Sequence, residues 1–116
     1  MNFEIREFTE AGRSYFAEWF DGLDAVTAAR VDRYVRRLEA GNLGAAKVLR
    51  AGVAELRLNF GPGYRVYFGR DGQRLVILLG GGSKRRQDAD IAVAVARWQR
   101  YLRAKKAEEH GSDTPV

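Results

Sequence analysis

Apolar residues recur along this chain with two periods, and the switches between them mark out its elements. Met1 to Phe8 alternates, with Phe3 and Ile5 in phase, and predicts a first strand. Thr9 has the side chain of an N-cap, and Tyr15, Phe16, Trp19, Phe20 and Leu23 then gather on one broad side of a helix closed by Gly22 and Leu23. Asp24 opens a second helix in which Ala28, Val31, Val35 and Leu38 recur at spacings of three and four, while Arg30, Arg33, Arg36 and Arg37 point mostly elsewhere. Gly41 and Asn42 stop it by C-cap chemistry. Residues Gly44 to Gly52 predict a turn-rich bridge carrying Lys47 and Arg50.

Period two then returns in a hairpin. Leu56, Leu58 and Phe60 share one strand face, and Glu55, Arg57 and Asn59 share the other. With Gly61, Pro62 and Gly63 as the loop, Phe60 faces Tyr64, Leu58 faces Val66 and Leu56 faces Phe68, so the apolar faces coincide. That register sets Arg57 opposite Tyr67 and Arg65 opposite Asn59, which makes the two arginines diagonal neighbours about 7 to 8 Å apart. Asp71-Gly72 turns the chain into a strand, Leu75 to Leu79, that is apolar on both faces and therefore central. Gly80, Gly81 and Gly82 end it, bend the backbone and deliver Ser83 to Gln87 to the sheet edge. Asp88 or Asp90 caps a last helix with Ile91, Val95, Trp98 and Leu102 inward and Arg97, Arg100 and Arg103 outward. Strand, helix, helix, strand, strand, strand, helix defines an α+β domain over residues 1–105. Its small, mostly antiparallel sheet is covered on one face by the two early helices, with Arg57 and Arg65 emerging on the other. Residues 106–116, with Gly111 and Pro115, predict a loose polar tail.

Charge sharpens this picture. The chain carries a net +5, but residues 1–40 hold six basic and eight acidic groups whereas residues 41–106 hold fourteen basic and four acidic. Such polarisation suits a polyanion such as RNA or DNA meeting the later half, and an acidic protein would exploit the same field. Cysteine is absent, which excludes disulfides, thiolate metal sites and cysteine nucleophiles. The longest strongly apolar run, Leu75 to Leu79, is too short to span a membrane, and the N-terminal stretch is acidic rather than leader-like, so a cytoplasmic protein is expected.

The ordered motifs carry a family resemblance. They are Arg37-Leu38, Gly41-Asn42 and Gly44, then Gly52-Val53-Ala54-Glu55-Leu56-Arg57, then Gly61-Pro62-Gly63-Tyr64-Arg65-Val66-Tyr67-Phe68. Gly81-Gly82-Ser83-Lys84 with Gln87, Asp90 and Ile91 completes the set. In this order they resemble the RelE/ParE superfamily of type II toxin–antitoxin toxins, in particular the HigB-like addiction-module killer proteins. The resemblance implies a RelE-like fold and a ribosome-associated toxin that cleaves mRNA without a cofactor. It also implies silencing by a cognate helix-turn-helix antitoxin of the HigA-like kind. Arg57, Arg65 and Lys84 fall at the family's catalytic positions. The chain departs from many relatives in having Ser83, rather than an acidic residue, before Lys84-Arg85-Arg86.

Cleaving RNA without a metal requires deprotonation of the 2′-hydroxyl, stabilisation of charge at phosphorus and protonation of the 5′-oxygen. Two arginines supply the stabilisation by bidentate contacts to nonbridging oxygens, and Lys84 adds neutralisation or acts as the acid. Lys47, Arg50, Arg85, Arg86 and Gln87 are the further RNA-binding candidates. The base is unassigned, because the sole histidine, His110, falls in the expected tail. The glycine run lacks Walker spacing, and carboxylates do not cluster with histidines, so neither nucleotide hydrolysis nor a metal site is expected. Two other readings share the fold: a noncatalytic gyrase inhibitor like ParE, and a degenerate toxin that retains only antitoxin binding.

Overall fold

The computed structural model describes residues 2–112. Its centre is a five-stranded mixed sheet in the order β1 (Glu4–Glu7), β7 (Leu75–Ser83), β6 (Tyr64–Asp71), β5 (Val53–Leu58), β4 (Ala46–Arg50). Only the β1–β7 pair is parallel. Period-two alternation in β5, β6 and β7 feeds two cores at once. Leu56, Leu58, Val66, Phe68, Val76 and Leu78 meet α1 (Tyr15–Asp21) and α2 (Ala25–Glu39) through Phe16, Val31, Val35 and Leu38. Val53, Tyr67, Ile77 and Leu79 meet Ala94 and Trp98 of α3 (Gln87–Ser112) on the other face. Each fully buried aliphatic or aromatic side chain contributes about 1.5–3 kcal/mol.

The second face is thus not open, as the sequence pattern suggested, because α3 lies across it. Within α3, Ile91, Val95 and Trp98 pack inward as expected, but Tyr101 takes the next inward place and Leu102 is exposed. Arg97 also turns inward, donating from Nη1 to the Leu79 carbonyl at 2.9 Å and stacking 3.8 Å from the Tyr15 ring. The helix continues past Lys105 to Ser112. The rest of the expected tail, including Pro115, lies outside the described residues.

Local chemistry explains where the boundaries fall. Asp24 caps α2 by accepting from the Thr27 N–H at 2.9 Å. At the other end Gly41, at φ 93°, donates to Leu38 and Asn42 donates to Arg37, a Schellman closure. Thr9 is not a cap. It opens a small ribbon, β2 (Thr9–Glu10) against β3 (Arg13–Ser14), that turns through Ala11 and Gly12, both at positive φ, and Ser14 caps α1 instead. The bridge bearing Lys47 and Arg50 is likewise a strand, the sheet edge β4, whose exposed charges and irregular register suit an unpaired edge.

The glycine run extends β7 rather than ending it. Gly80, Gly81 and Gly82 continue to pair with β6 after a bulge, at which Tyr67 faces Gly80 and Phe68 faces Leu78. A second pair of glycines receives Trp98: a Cβ on Gly69 would lie 2.4 Å from its ring, and one on Gly52 2.5 Å from its Nε1. Gly69→Ala therefore overpacks the α3 core and costs about 1–3 kcal/mol. Gly22→Ala, at φ −80° with ordinary contacts of 3.5 Å and more, is neutral or stabilises by up to about 1 kcal/mol. Urea unfolding midpoints of the two variants check both signs.

Candidate nucleic-acid interface

The hairpin β5–β6 brings its two arginines closer than alternation alone suggested. Arg57 lies directly opposite Arg65, and Glu55 opposite Tyr67, a slip of two residues from the register expected with a three-residue loop. Phe60 causes the slip. It leaves the ladder to pack against Tyr34 and Tyr64, with the Arg30 guanidinium 4.1 Å from its ring centre, while the Gly63 N–H closes a turn on the Phe60 carbonyl at 3.1 Å. A two-residue slip leaves every side chain on its expected face.

Glu55 makes this opposition tolerable. Its side chain has no solvent exposure, and its carboxylate accepts from Arg57 Nε at 2.8 Å and from Gln87 Nε2 at 2.9 and 3.1 Å. Arg65 Nε stands 3.7 Å from the same carboxylate without a hydrogen bond, and Arg65 Nη1 donates to the Gly63 carbonyl at 2.7 Å. Arg65 is thus held almost fully buried, whereas the Arg57 side chain is 41% exposed. Glu55 is the residue that sequence reading undervalued. Alternation placed it with Arg57 and Asn59 on one strand face, and the signal of its burial lay in the apolar residues on both sides of it.

Lys84 joins the pair through the backbone. Its N–H reaches the Pro62 carbonyl at 3.3 Å, and a Cβ on Gly63, at φ 74°, would lie 3.2 Å from both Lys84 Cβ and Arg65 Nη1. Lys84–Arg86 form a single 3₁₀ turn that leads into α3, with all three side chains exposed. Arg57, Arg65 and Lys84 consequently share one end of the sheet, beside Gly82, which pairs with Arg65. Of the other expected RNA contacts, Lys47 lies opposite Glu55 and flanks this cluster. Arg50 sits at the far end of β4, opposite Val53, and is not brought to it. Gln87 is committed to Glu55, so it positions rather than reaches outward.

Beside the cluster, between α1 and α3, runs a groove of about 420 Å³ whose lining includes Tyr15, Trp19, Tyr67, Arg86, Asp90 and Arg97. The glycine run makes its floor. A Cβ would meet Arg97 at Gly80, Trp19 at Gly81 and Asp90 at Gly82, each within 2.6 Å. Burial raises the Asp90 carboxyl above its ordinary value, with Arg86 and Arg97 pulling the other way, and burial also raises the Tyr67 phenol. Trp19 and Trp98 pack against the two cores, as their apolar stripes predicted. Among the described residues no group of three histidine, cysteine or carboxylate side chains is arranged to hold a metal, and no helix is long and apolar enough to cross a membrane.

Residues 18–99 match the family described as Phage derived protein Gp49-like (DUF891). The chain belongs to this family, a toxin-like one related to RelE/ParE-type toxin–antitoxin modules. It is also similar to an uncharacterized protein of Haemophilus influenzae, 42% identical over 80 residues that span 68% of this chain and 81% of that one.

Two outcomes follow from the geometry. Glu55→Ala strands Arg65 in a buried site and costs about 3–5 kcal/mol, whereas Arg57→Ala, which takes one of two hydrogen-bond donors from the sealed Glu55 carboxylate and leaves Gln87 in place, costs about 1–3 kcal/mol; chemical denaturation distinguishes them. Asp90 has a raised carboxyl, so its contribution to stability is most favourable below the ordinary aspartate range and is lost as pH rises through the raised value. Asp90→Asn should therefore raise the melting temperature at pH 7, with the gain vanishing near pH 3.

Proposed function

We propose that this chain is the toxin of a type II toxin–antitoxin module, a metal-independent endoribonuclease that cleaves mRNA on the ribosome and so inhibits translation. A cognate helix-turn-helix antitoxin of the HigA-like kind would hold it silent. The reading rests on family membership and on one observation, the direct opposition of Arg57 and Arg65 with Lys84 beside them at one sheet end. Three cations at such close quarters suit a phosphate whose charge grows during reaction. In this reading Arg65, pinned by Gly63 and Glu55, is a fixed donor to a nonbridging oxygen. Arg57 and Lys84, both accessible, close on the phosphate from the solvent side. Glu55 is engaged by two donors and sealed from solvent, so it serves as the positioning residue and not as the base. Arg85, Arg86 and Lys47 extend the field along the RNA backbone.

Induced wild-type protein should arrest growth and cut ribosome-engaged mRNA, and Arg65→Ala should lose about 10²- to 10³-fold in cleavage rate. Full cleavage by Arg65→Ala would remove the mechanism. Burial of Arg65 also favours a second reading, a noncatalytic gyrase inhibitor like ParE, in which the arginine supports a protein-binding surface. Intact mRNA with accumulating DNA breaks after induction would select that reading.

A further inference from the structure

Two polar groups in the α1–α3 groove lack partners. The Tyr67 hydroxyl is buried and makes no hydrogen bond, and its residue is 1% exposed. A buried hydroxyl without a partner costs about 1–3 kcal/mol. The Asp90 carboxylate, on the first turn of α3, likewise makes no hydrogen bond among the described residues, although the charges of Arg86 and Arg97 act on it and its own acts on Tyr67. Both line the same space, together with Arg86, Arg97 and the rings of Tyr15 and Trp19. At about 420 Å³ the groove has room for one planar heterocycle. It begins two residues along β6 from Arg65: Tyr67 lies opposite Glu55, Asp90 rests on Gly82, and Gly82 pairs with Arg65.

We propose that this groove is a base-recognition subsite that takes a guanine next to the phosphate held by Arg57, Arg65 and Lys84, with Asp90 as the specificity residue. The phosphate assignment is that of the proposed function; the guanine assignment follows from donor and acceptor chemistry. A carboxylate only accepts, and guanine alone among the four bases presents two adjacent N–H donors, N1–H and the 2-amino group, to a single carboxylate. Adenine and cytosine turn a lone pair toward it, and uracil flanks its one N–H with two carbonyls. The opposite edge of guanine, O6 and N7, accepts from guanidinium groups. Arg86 and the N–H groups of Arg97 not used on Leu79 stand in the same groove to supply them. The Tyr67 hydroxyl then finds a polar partner on the base edge, which removes the deficit it carries in the free protein.

The test separates base binding from cleavage. Titrations with GMP, IMP and AMP hold the phosphate constant and vary the base alone, with the Trp19 indole N–H observed by NMR and the backbone N–H of Gly72, in the β6–β7 turn at the opposite end of the sheet, as the internal reference. GMP should shift Trp19 saturably, IMP, which lacks the 2-amino group, should bind about 5- to 50-fold more weakly, and AMP should bind more weakly still. Asp90→Asn, which is expected to fold at least as well as wild type, should abolish the preference for GMP over IMP. In mapped mRNA ends the same variant should still cut but lose guanine enrichment beside the cleaved bond. Equal binding of the three nucleotides, or none at Trp19, would overturn the subsite even if cleavage is intact. Selective GMP binding without any cleavage would uphold the subsite and defeat the nuclease reading instead.

Discussion

Glu55 is a carboxylate without access to water in the middle of a sheet, and such a group survives only if donors converge on it. That requirement organises the whole sheet end. Arg57 and Arg65 face each other across two strands, a pairing that would repel in isolation, and Glu55 lies close enough to both to offset it. Its other donor, Gln87, is the first residue of α3, so the same carboxylate fixes where the last helix starts. The turn before it, Lys84–Arg86, is thereby held against the hairpin loop, reinforced by the bond from Lys84 to Pro62.

A second constraint is space. The two helical layers press on the sheet through large side chains, and the sheet accommodates them by having no side chains at the points of contact. Trp98 occupies the positions where Gly52 and Gly69 lack a Cβ, and Arg97, Trp19 and Asp90 occupy those of Gly80, Gly81 and Gly82 in turn. The first two glycines serve packing, since Trp98 is 4% exposed in a closed core. The other three serve a groove, since the side chains they admit leave an open volume and two polar groups without partners.

What was legible in the sequence was what depends on neighbours along the chain. Asp24 and the Gly41-Asn42 pair bound α2 where expected, because capping is settled within four residues. The faces of β5 and β6 were also legible, since alternation survives a slip of two. The register itself was not, because Phe60 is drawn off the ladder by Tyr34 and Arg30 on α2, far away in sequence. β4 was hidden by its edge chemistry, in which Lys47, Val48 and Arg50 interrupt any apolar pattern. Arg97 was misplaced outward because only the bulge near Gly80 opens room for it beneath α3. At the candidate site, the nearness of Arg57, Arg65 and Lys84 follows from the hairpin and the strand paired beside it, whereas the burial of Glu55 depends on Gln87, thirty-two positions later.

A buried acid behind an arginine pair at first looks like a poor arrangement for gripping phosphate, since it removes one of three positive charges. Its position decides the matter. The Glu55 oxygens face inward and are occupied by Nε of Arg57 and the Gln87 amide, so little of their lone-pair density is presented to an arriving anion. The terminal nitrogens of Arg57 are left free of that contact. Without the acid, Arg57 would swing away into solvent and Arg65 would stay buried without its countercharge, and an arriving phosphate would have to reassemble the pair. With it, their geometry is set beforehand, so in the proposed reaction the field at the phosphate is weaker by one charge but requires less reorganisation. For a reaction whose barrier lies in stabilising charge as it develops, fixed donors outweigh mobile ones.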